Sequence, residues 1–217
     1  MSELFDRFIH DWPLPDAPIS DSFVVLGCSH TTGVGLDPKD AYPSLLARHY
    51  NLPLYNLAIG NGNADVCQLN VFNFTRNNPK PKFVIIQWPN PIRQLIWNSK
   101  VENISEMLEN INNSGEYFKT QLKYQRSQFY FNWTMRVMSV NRLLDAWQIP
   151  RINIYLDTAD TEIETTLKEF HIHCDEKIPG KTWFFDSAAA DGMHHSAWCH
   201  EQWAKRLIPL IDEATTR

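Results

Sequence analysis

The sequence predicts one three-layer α/β/α domain, in which helices cover both faces of a doubly wound parallel sheet of about five strands. Short apolar segments alternate along the chain with amphipathic, helix-like segments. Each apolar segment is bounded by turn-forming residues, as buried strands of parallel sheets are. A length of 217 residues, of which 43% are hydrophobic, suits one core rather than two.

The strands are predicted from runs of apolar and β-branched residues that stop at glycine, asparagine or proline. The main strands are predicted at 23–27, 52–58, 83–88 and 151–156, and a short fifth strand at 183–185.

The helices are predicted from apolar residues spaced three and four apart. They cover 40–50, 64–76, 101–147 with a break near 112–115, and 196–214. Asp40 is expected to cap the first of them. Residues 1–21, which contain three prolines, are predicted to form an irregular arm before a domain at 22–217.

Composition excludes several classes of function. The net charge is −5 and the basic residues are scattered, which argues against a nucleic-acid partner. No apolar run approaches the roughly 20 residues of a membrane span. The first residues lack the pattern of a signal peptide, which favours a cytoplasmic protein, or one otherwise without a visible signal. The sequence leaves the oligomeric state open.

Cysteine usage also points to a reducing compartment. The cysteines are far apart in sequence and form no C-x-x-C pair, so free buried thiols are expected. They are Cys28, Cys67, Cys174 and Cys199.

Polar residues follow the predicted strands at the edge where open parallel sheets bind ligands. Ser29 follows the first strand, Gly60-Asn-Gly-Asn63 the second and Asn90 the third. Asp191-Gly-Met-His194 lies just before the last helix. We expect these segments to meet at one edge of the sheet.

Together these residue types can carry out acyl transfer. A serine hydroxyl attacks a carbonyl once a histidine accepts its proton, and an aspartate orients that histidine. The negative charge of the tetrahedral intermediate needs donors held in place. The Ser29 backbone N–H, an N–H of the glycine-rich loop and the Asn90 amide are the candidate donors.

Two sequence blocks carry a resemblance to a known family. Val24-Val-Leu-Gly-Cys-Ser29 is similar to a strand followed by Gly-Asp-Ser, with cysteine in place of the aspartate. Asp191-Gly-Met-His194, followed by His195-Ser196, is similar to the Asp-x-x-His block. From Phe23 to Leu210 the chain resembles the SGNH, or GDSL-like, hydrolases.

The two middle blocks resemble the family less closely. Asn56-Leu-Ala-Ile-Gly-Asn-Gly-Asn63 is similar to Asn-x-Gly-x-x-Gly and puts Asn61 at the position of the donor glycine. A shift of one residue makes Gly62 the donor instead. Trp88-Pro-Asn-Pro91 keeps the asparagine of Gly-x-Asn-Asp but lacks its glycine and aspartate.

The resemblance implies a flavodoxin-like sheet and a serine esterase that uses no cofactor or metal. Ser29 is then the nucleophile, His194 the base and Asp191 its orienting acid. The oxyanion donors are Ser29, Asn61 or Gly62, and Asn90. The implied substrate is a small-molecule or carbohydrate ester with a short acyl group, such as a sugar O-acetyl ester.

Structural interpretations of the same residues stay open at this point. Ser29 and Asp191 can each cap a helix. Asn61, Gly62 and Asn90 can simply form turns. His30 is predicted to be a surface loop histidine.

Two clusters suggest zinc instead: His171-Ile-His-Cys174, and His194 and His195 with Cys199 and His200. Several tryptophans line either a sugar-binding cleft or the core, namely Trp88, Trp97, Trp133 and Trp198.

Three functional hypotheses follow. The first is a serine esterase. The second is a catalytically lapsed module of the same fold that binds glycan or serves a structural role. The third is a metal-dependent hydrolase that uses the histidine clusters.

Overall fold

The computed structural model describes residues 8–77, 80–91, 93, 115–157, 165, 167–168, 175–179, 188–192 and 194–216. The strands are β1 (Phe23–Leu26), β2 (Leu54–Asn56), β3 (Val84–Trp88), β4 (Arg151–Asp157) and β5 (Glu176–Pro179). The α-helices are α1 (Ser29–Thr32), α2 (Tyr42–Tyr50), α3 (Ala64–Asn77), α4 (Gly115–Ala146) and α5 (Ala197–Thr216).

The strands form one parallel sheet in the order β2-β1-β3-β4-β5. This order confirms the predicted doubly wound, flavodoxin-like sheet. The chain runs from β1 to β2 on one side and then crosses to β3 on the other. The carboxyl ends of β1 and β3 therefore flank the crevice in which such sheets bind ligands.

The two faces of the sheet bury separate apolar layers, because successive residues of a strand point to opposite faces. Val24 and Leu26 face α3 and α4. Phe23 and Val25 face α2 and α5. Burial on both faces explains why β1 is apolar throughout and why β3 is apolar except for Gln87.

The fifth strand differs from the sequence prediction. Its sequence is Glu-Lys-Ile-Pro, and it pairs with β4 at the edge of the sheet. An edge strand has no need of a continuous apolar run and tolerates proline, so it carried no clear strand signal. The 183–185 segment lies outside the described residues.

The start of the second helix corrects another prediction. Asp40 belongs to a 3₁₀ turn, Pro38–Asp40, and α2 begins at Tyr42 without a side-chain cap. Asp37 caps the 3₁₀ turn instead, because its carboxylate accepts the Lys39 N–H. In α4, the predicted break at 112–115 lies at or before the first described residue of that helix.

The remaining features concern the arm, the thiols and hydropathy. Residues 8–18 contain no helix or strand, and a 3₁₀ turn at Ile19–Asp21 leads into β1. Cys28, Cys67 and Cys199 are buried free thiols, whereas Cys174 lies outside the described residues. None of the described helices is long and apolar enough to cross a membrane.

Candidate active site

Ser29 is the first residue of α1 and is only 8% exposed. Cys28 precedes the helix as its N-cap residue, so the interpretation of Ser29 as the cap is wrong. The chain can turn this sharply because Gly27 has no side chain: a Cβ there would lie 2.0 Å from Thr31 Oγ1. The Thr31 hydroxyl in turn donates a hydrogen bond to Gln87 Oε1 on β3. The sheet thus fixes the turn that presents Ser29.

The glycine-rich loop after β2 packs directly against this turn. A Cβ on Gly62 would lie 2.4 Å from the Gly27 carbonyl oxygen and 3.3 Å from Cys28 Cα. Only glycine allows the two backbones to approach so closely. The second block of the sequence therefore lies beside the first, as the topology predicted.

A β-turn over Ile59–Gly62 shapes this loop, with the Gly62 N–H donating to the Ile59 oxygen over 3.0 Å. Asn61 has a φ of 56°, the positive value that a type II turn requires of its third residue. Asparagine tolerates this conformation better than most residues. The turn interpretation is thus correct for both Asn61 and Gly62.

The hydrogen bonds of the turn bear on which residue is the donor. The Gly62 N–H is already used within the turn. Within the described part of the chain, no hydrogen bond is formed by the Asn61 N–H. Of the two N–H groups, that of Asn61 is therefore the one available to a ligand.

Asn90 is half-buried in a tight turn that follows β3. The Arg93 N–H donates to its carbonyl oxygen over 3.0 Å. The Trp133 indole donates to the preceding Pro89 oxygen over 2.9 Å, which ties the turn to α4. Asn90 is therefore a turn residue at the crevice edge.

Asp191 and His194 are joined by two hydrogen bonds. His194 Nδ1 lies 2.5 Å from Asp191 Oδ2, and the His194 N–H donates to Asp191 Oδ1 over 3.0 Å. Ser196 rather than Asp191 caps α5, because its hydroxyl accepts the Cys199 N–H. The interpretation of Asp191 as a helix cap is wrong.

The loop that continues from α1 contacts this acid–histidine pair. A Cβ on Gly35 would lie 3.1 Å from Asp191 Cγ, and Gly35 has a φ of +83°. The Ala190 N–H donates to the Gly35 oxygen over 3.3 Å. Glycine at position 35 thus allows the 188–192 segment to pack against the loop that follows α1.

His30 connects the two regions, which corrects its prediction as a surface loop residue. It is half-buried, and its ring centroid lies 5.0 Å from that of His194 and 4.9 Å from that of His195. Its Nδ1 lies 3.1 Å from Nδ1 of His195, which is 3% exposed. One of these two nitrogens must carry a proton and the other must accept it.

Burial is the main reason that the pKa of His30 falls to about 3, and the charges of His195, His194 and Arg93 lower it further. A histidine with this pKa is neutral at pH 7. The histidines at 194 and 195 stood out in the sequence, but the only signal for His30 was its position next to Ser29.

His200 has a structural role. Its Nδ1 accepts the Tyr42 N–H over 3.0 Å, so the ring proton is on Nε2. Burial, followed by the charges of His195 and His194, lowers its pKa to about 3. The neutral ring links α5 to the start of α2.

The structure also bears on the zinc and sugar-cleft hypotheses for this region. Among the described residues, no three His, Cys, Asp or Glu side chains form a group that could hold a metal ion. The His171–Cys174 cluster lies outside them. Trp88 and Trp133 are buried in the core, although Trp133 also lines a shallow cleft, and Trp97 is not described. Trp198, in the first turn of α5, is 51% exposed.

Arg93 lies at the same edge and was not predicted. It lines a shallow cleft with Asp65 and Arg136, which form an ion pair. In the described region its Nη1 is buried without a hydrogen-bond partner. The one sequence signal for Arg93 was its position two residues after Pro91, where the third block ends.

Comparisons with known proteins agree at the level of the fold. No model of a known protein family matches the sequence, and no curated protein matches it in sequence. Solved structures do match.

One is a carbohydrate esterase whose active site has divergent catalytic and non-catalytic binding functions, with a TM-score of 0.55, 14% identity, and coverage of 93% of this chain and 68% of that one. A family two carbohydrate esterase from Clostridium thermocellum, in complex with cellohexaose, has a TM-score of 0.55, 11% identity, and coverage of 93% and 66%.

A third structure, described as a lipolytic protein of the G-D-S-L family from Desulfitobacterium hafniense, has a TM-score of 0.51 and 11% identity. It is matched over 99% of its length by 88% of this chain. Identities this low speak to architecture alone. The sheet order, the position of the four blocks and these matches agree, and the chain has the fold of the SGNH/GDSL-like hydrolases.

Proposed function

We propose that this protein is a serine esterase that hydrolyses a short-chain ester with Ser29, His194 and Asp191. The observation that carries the proposal is the 2.5 Å contact between His194 Nδ1 and Asp191 Oδ2, in a loop that packs against the segment following Ser29. The esterase neighbours support ester hydrolysis at the level of the fold.

In the acylation step, Ser29 Oγ attacks the acyl carbonyl carbon and His194 Nε2 accepts the serine proton. Asp191 accepts the Nδ1–H of His194, which leaves Nε2 unprotonated and ready to act as base. The same carboxylate stabilises the imidazolium once the proton has moved.

The oxyanion hole consists of the Ser29 N–H, the Asn61 N–H and the Asn90 side-chain amide. Gly62 is the alternative donor, but its N–H is used within the β-turn. Each fixed donor is worth about 3 kcal/mol in the transition state. The close packing of Gly62 on Gly27 supports this assignment, because it holds two of the donor segments together.

The second half of the reaction reverses the proton transfers. His194 protonates the leaving alcohol, then removes a proton from water as the water attacks the acyl-enzyme. The acid is released and Ser29 regains its proton. The chemistry requires neither a cofactor nor a metal ion.

A carbohydrate ester is the proposed substrate class. Trp198 is exposed four residues after His194, and an exposed indole can stack on a sugar ring. Family two carbohydrate esterases, one of them bound to cellohexaose, are among the structures with this fold. A small acyl group suits the half-buried histidine and the buried serine.

The proposal is tested with a fluorophosphonate probe and with p-nitrophenyl esters of increasing chain length. We expect Ser29→Ala to abolish labelling and to lower kcat by at least about 10³-fold. Ser20→Ala, at the opposite end of β1, is the matched control and retains both. Short-chain turnover that survives Ser29→Ala undiminished contradicts the proposal.

A lapsed, glycan-binding module is the second candidate. It is favoured by Cys28 in the first block and by the missing glycine and aspartate of the third. One structural neighbour combines catalytic and non-catalytic binding functions. Folded protein that never labels but binds oligosaccharides supports this alternative. Turnover that a chelator removes and that Ser29→Ala leaves intact supports the metal-dependent hydrolase.

A further inference from the structure

The arm that precedes β1 is bound firmly to the protein at Ile9. The Asn70 side chain accepts the Ile9 N–H over 2.8 Å and donates to the Ile9 oxygen over 2.7 Å. Asn70 is fully buried on α3 and also donates to the Leu57 oxygen over 3.1 Å. The arm is therefore fixed next to the segment that leads from β2 into the glycine-rich loop.

Two residues further on, Asp11 contacts that loop. Its carboxylate oxygen Oδ2 accepts the Gly60 N–H over 2.6 Å. Its own N–H points back to the Ala58 oxygen at 3.5 Å. Hydrogen bonds to a carboxylate are shorter and stronger than those between neutral groups. Asp11 thus holds the second residue of the Ile59–Gly62 turn.

The position of the turn makes this contact relevant to the proposed catalysis, because the next peptide group carries the Asn61 N–H. Type I and type II turns differ by a flip of the peptide between their second and third residues, here Gly60 and Asn61. The flip reverses the direction of the Asn61 N–H. The type II form requires the positive φ that Asn61 has, a conformation that side-chain-bearing residues adopt at a cost. The Gly60 N–H belongs to the preceding peptide group, which keeps the same orientation in both turn types. Asp11 therefore fixes the start of the turn, and the positive φ of Asn61 sets the direction of its N–H.

We propose that Asp11 is a positioning residue for the oxyanion hole. By accepting the Gly60 N–H, it fixes the start of the Ile59–Gly62 turn against the arm and so holds the turn that carries the Asn61 N–H in place beside Ser29. The inference rests on the proposed esterase function and deepens it, because it makes the arm a part of the active site. Asp11 itself touches neither the substrate nor the reacting atoms.

The experiment compares Asp11→Ala, Asp11→Asn and the control Asp16→Ala, another exposed carboxylate of the same arm. Active sites are first titrated with the fluorophosphonate, and kcat and KM are measured on the best p-nitrophenyl ester. We expect kcat to fall about tenfold in Asp11→Ala, less than the loss of a whole donor, with KM within about twofold. Asp11→Asn keeps an acceptor oxygen and recovers most of the loss. Asp16→Ala matches the wild type.

A second readout does not depend on turnover. Amide hydrogen exchange at Gly60 should accelerate in Asp11→Ala and stay slow in Asp16→Ala. A kcat within twofold of wild type in Asp11→Ala overturns the positioning role, as does unchanged exchange at Gly60. Absence of Ser29-dependent turnover in the wild type is a different result, since it overturns the proposed function before any arm variant is examined.

Discussion

The nucleophile turn and the acid–base loop are built in different ways. The turn at Ser29 is packed against the Thr31 and Gln87 side chains at Gly27 and against the backbone of the glycine-rich loop at Gly62. The Thr31–Gln87 hydrogen bond fixes it to the sheet. The acid–base loop at 188–195 is held by an isolated bridge between Ala188 and His195 and by a few backbone hydrogen bonds.

This difference matches what each region must do. Oxyanion donors stabilise the transition state only if they are already in place, so the elements that carry them need a rigid support. In the proposed mechanism the base needs one ring nitrogen aligned with the serine, and the contact between His194 Nδ1 and Asp191 Oδ2 supplies that alignment. In the proposed mechanism, close backbone packing therefore supports the region where charge develops, and side-chain and backbone hydrogen bonds support the region where a proton moves.

The largest expected effect separates the two adjacent histidines of the acid–base loop. His194→Ala should lower kcat by about 10⁴-fold while the protein stays folded, because the base is lost. His195→Asn should instead lower the free energy of unfolding by about 1–3 kcal/mol and kcat by at most about tenfold, because its partners are His30 and Trp203 in the interior. Kinetics and urea unfolding on both variants test this prediction. The reverse pattern makes His195 the base.

A glycine in each region gives the next largest effect. Gly62→Ala places a methyl group against the Gly27 and Ile59 oxygens, which are backbone atoms that cannot move aside. We expect it to lower the free energy of unfolding by about 3 kcal/mol. Gly192→Ala meets no atom of the described residues within 4 Å, and its φ of +67° is the strain that opposes it. A loss of about 1 kcal/mol is expected there. Equal losses in urea unfolding contradict the contrast between the two regions.

The smallest predicted effect concerns pH. The pKa of His200 lies at about 3 in the folded protein against an ordinary 6.5, so the unfolded chain binds more protons between these values. The contribution of His200 to the free energy of unfolding is therefore nearly constant above about pH 7 and decreases as the pH falls below 6.5. Between pH 7.5 and 5.5 this histidine contributes a loss of about 1.4 kcal/mol.

His200→Asn tests this dependence, because asparagine can still accept the Tyr42 N–H. The decrease in unfolding free energy between pH 7.5 and 5.5 should be smaller in the variant by about 1.4 kcal/mol. The lowered pKa of His30 changes stability with pH in the same direction, and it accounts for part of the decrease in unfolding free energy that remains in His200→Asn. An unchanged pH dependence means that His200 does not titrate on unfolding.

The parts of the fold that sequence predicted are those in which local pattern and burial coincide. The core strands β1 and β3 are apolar on both faces, so their segments stood out to within a residue or two. The edge strand β5 lacks that pattern and depends on its pairing with β4. A side chain such as Asp40 can satisfy a capping pattern while the prolines around it impose a different turn.

For the site, the residue types could be read from the sequence, and their proximity followed from the predicted topology of the sheet. The rule that parallel sheets bind ligands at the carboxyl ends of their strands accounts for Ser29, Asn61 and Asn90 at one edge, because this rule depends on chain direction alone. The rule does not predict Asp11 or His30, because these residues reach the site through contacts with residues 49 and 165 positions away in the sequence. Such contacts leave no periodic or spacing signal.

The bond between Tyr42 and His200 spans 158 residues and has a consequence for biosynthesis. A ribosome adds about 5–20 residues each second, so the partners of this bond emerge roughly 10–30 s apart. During that interval the serine has been made but the docking helix of its base has not. If the proposed mechanism holds, a nascent chain is therefore unable to cleave esters until α5 has been made.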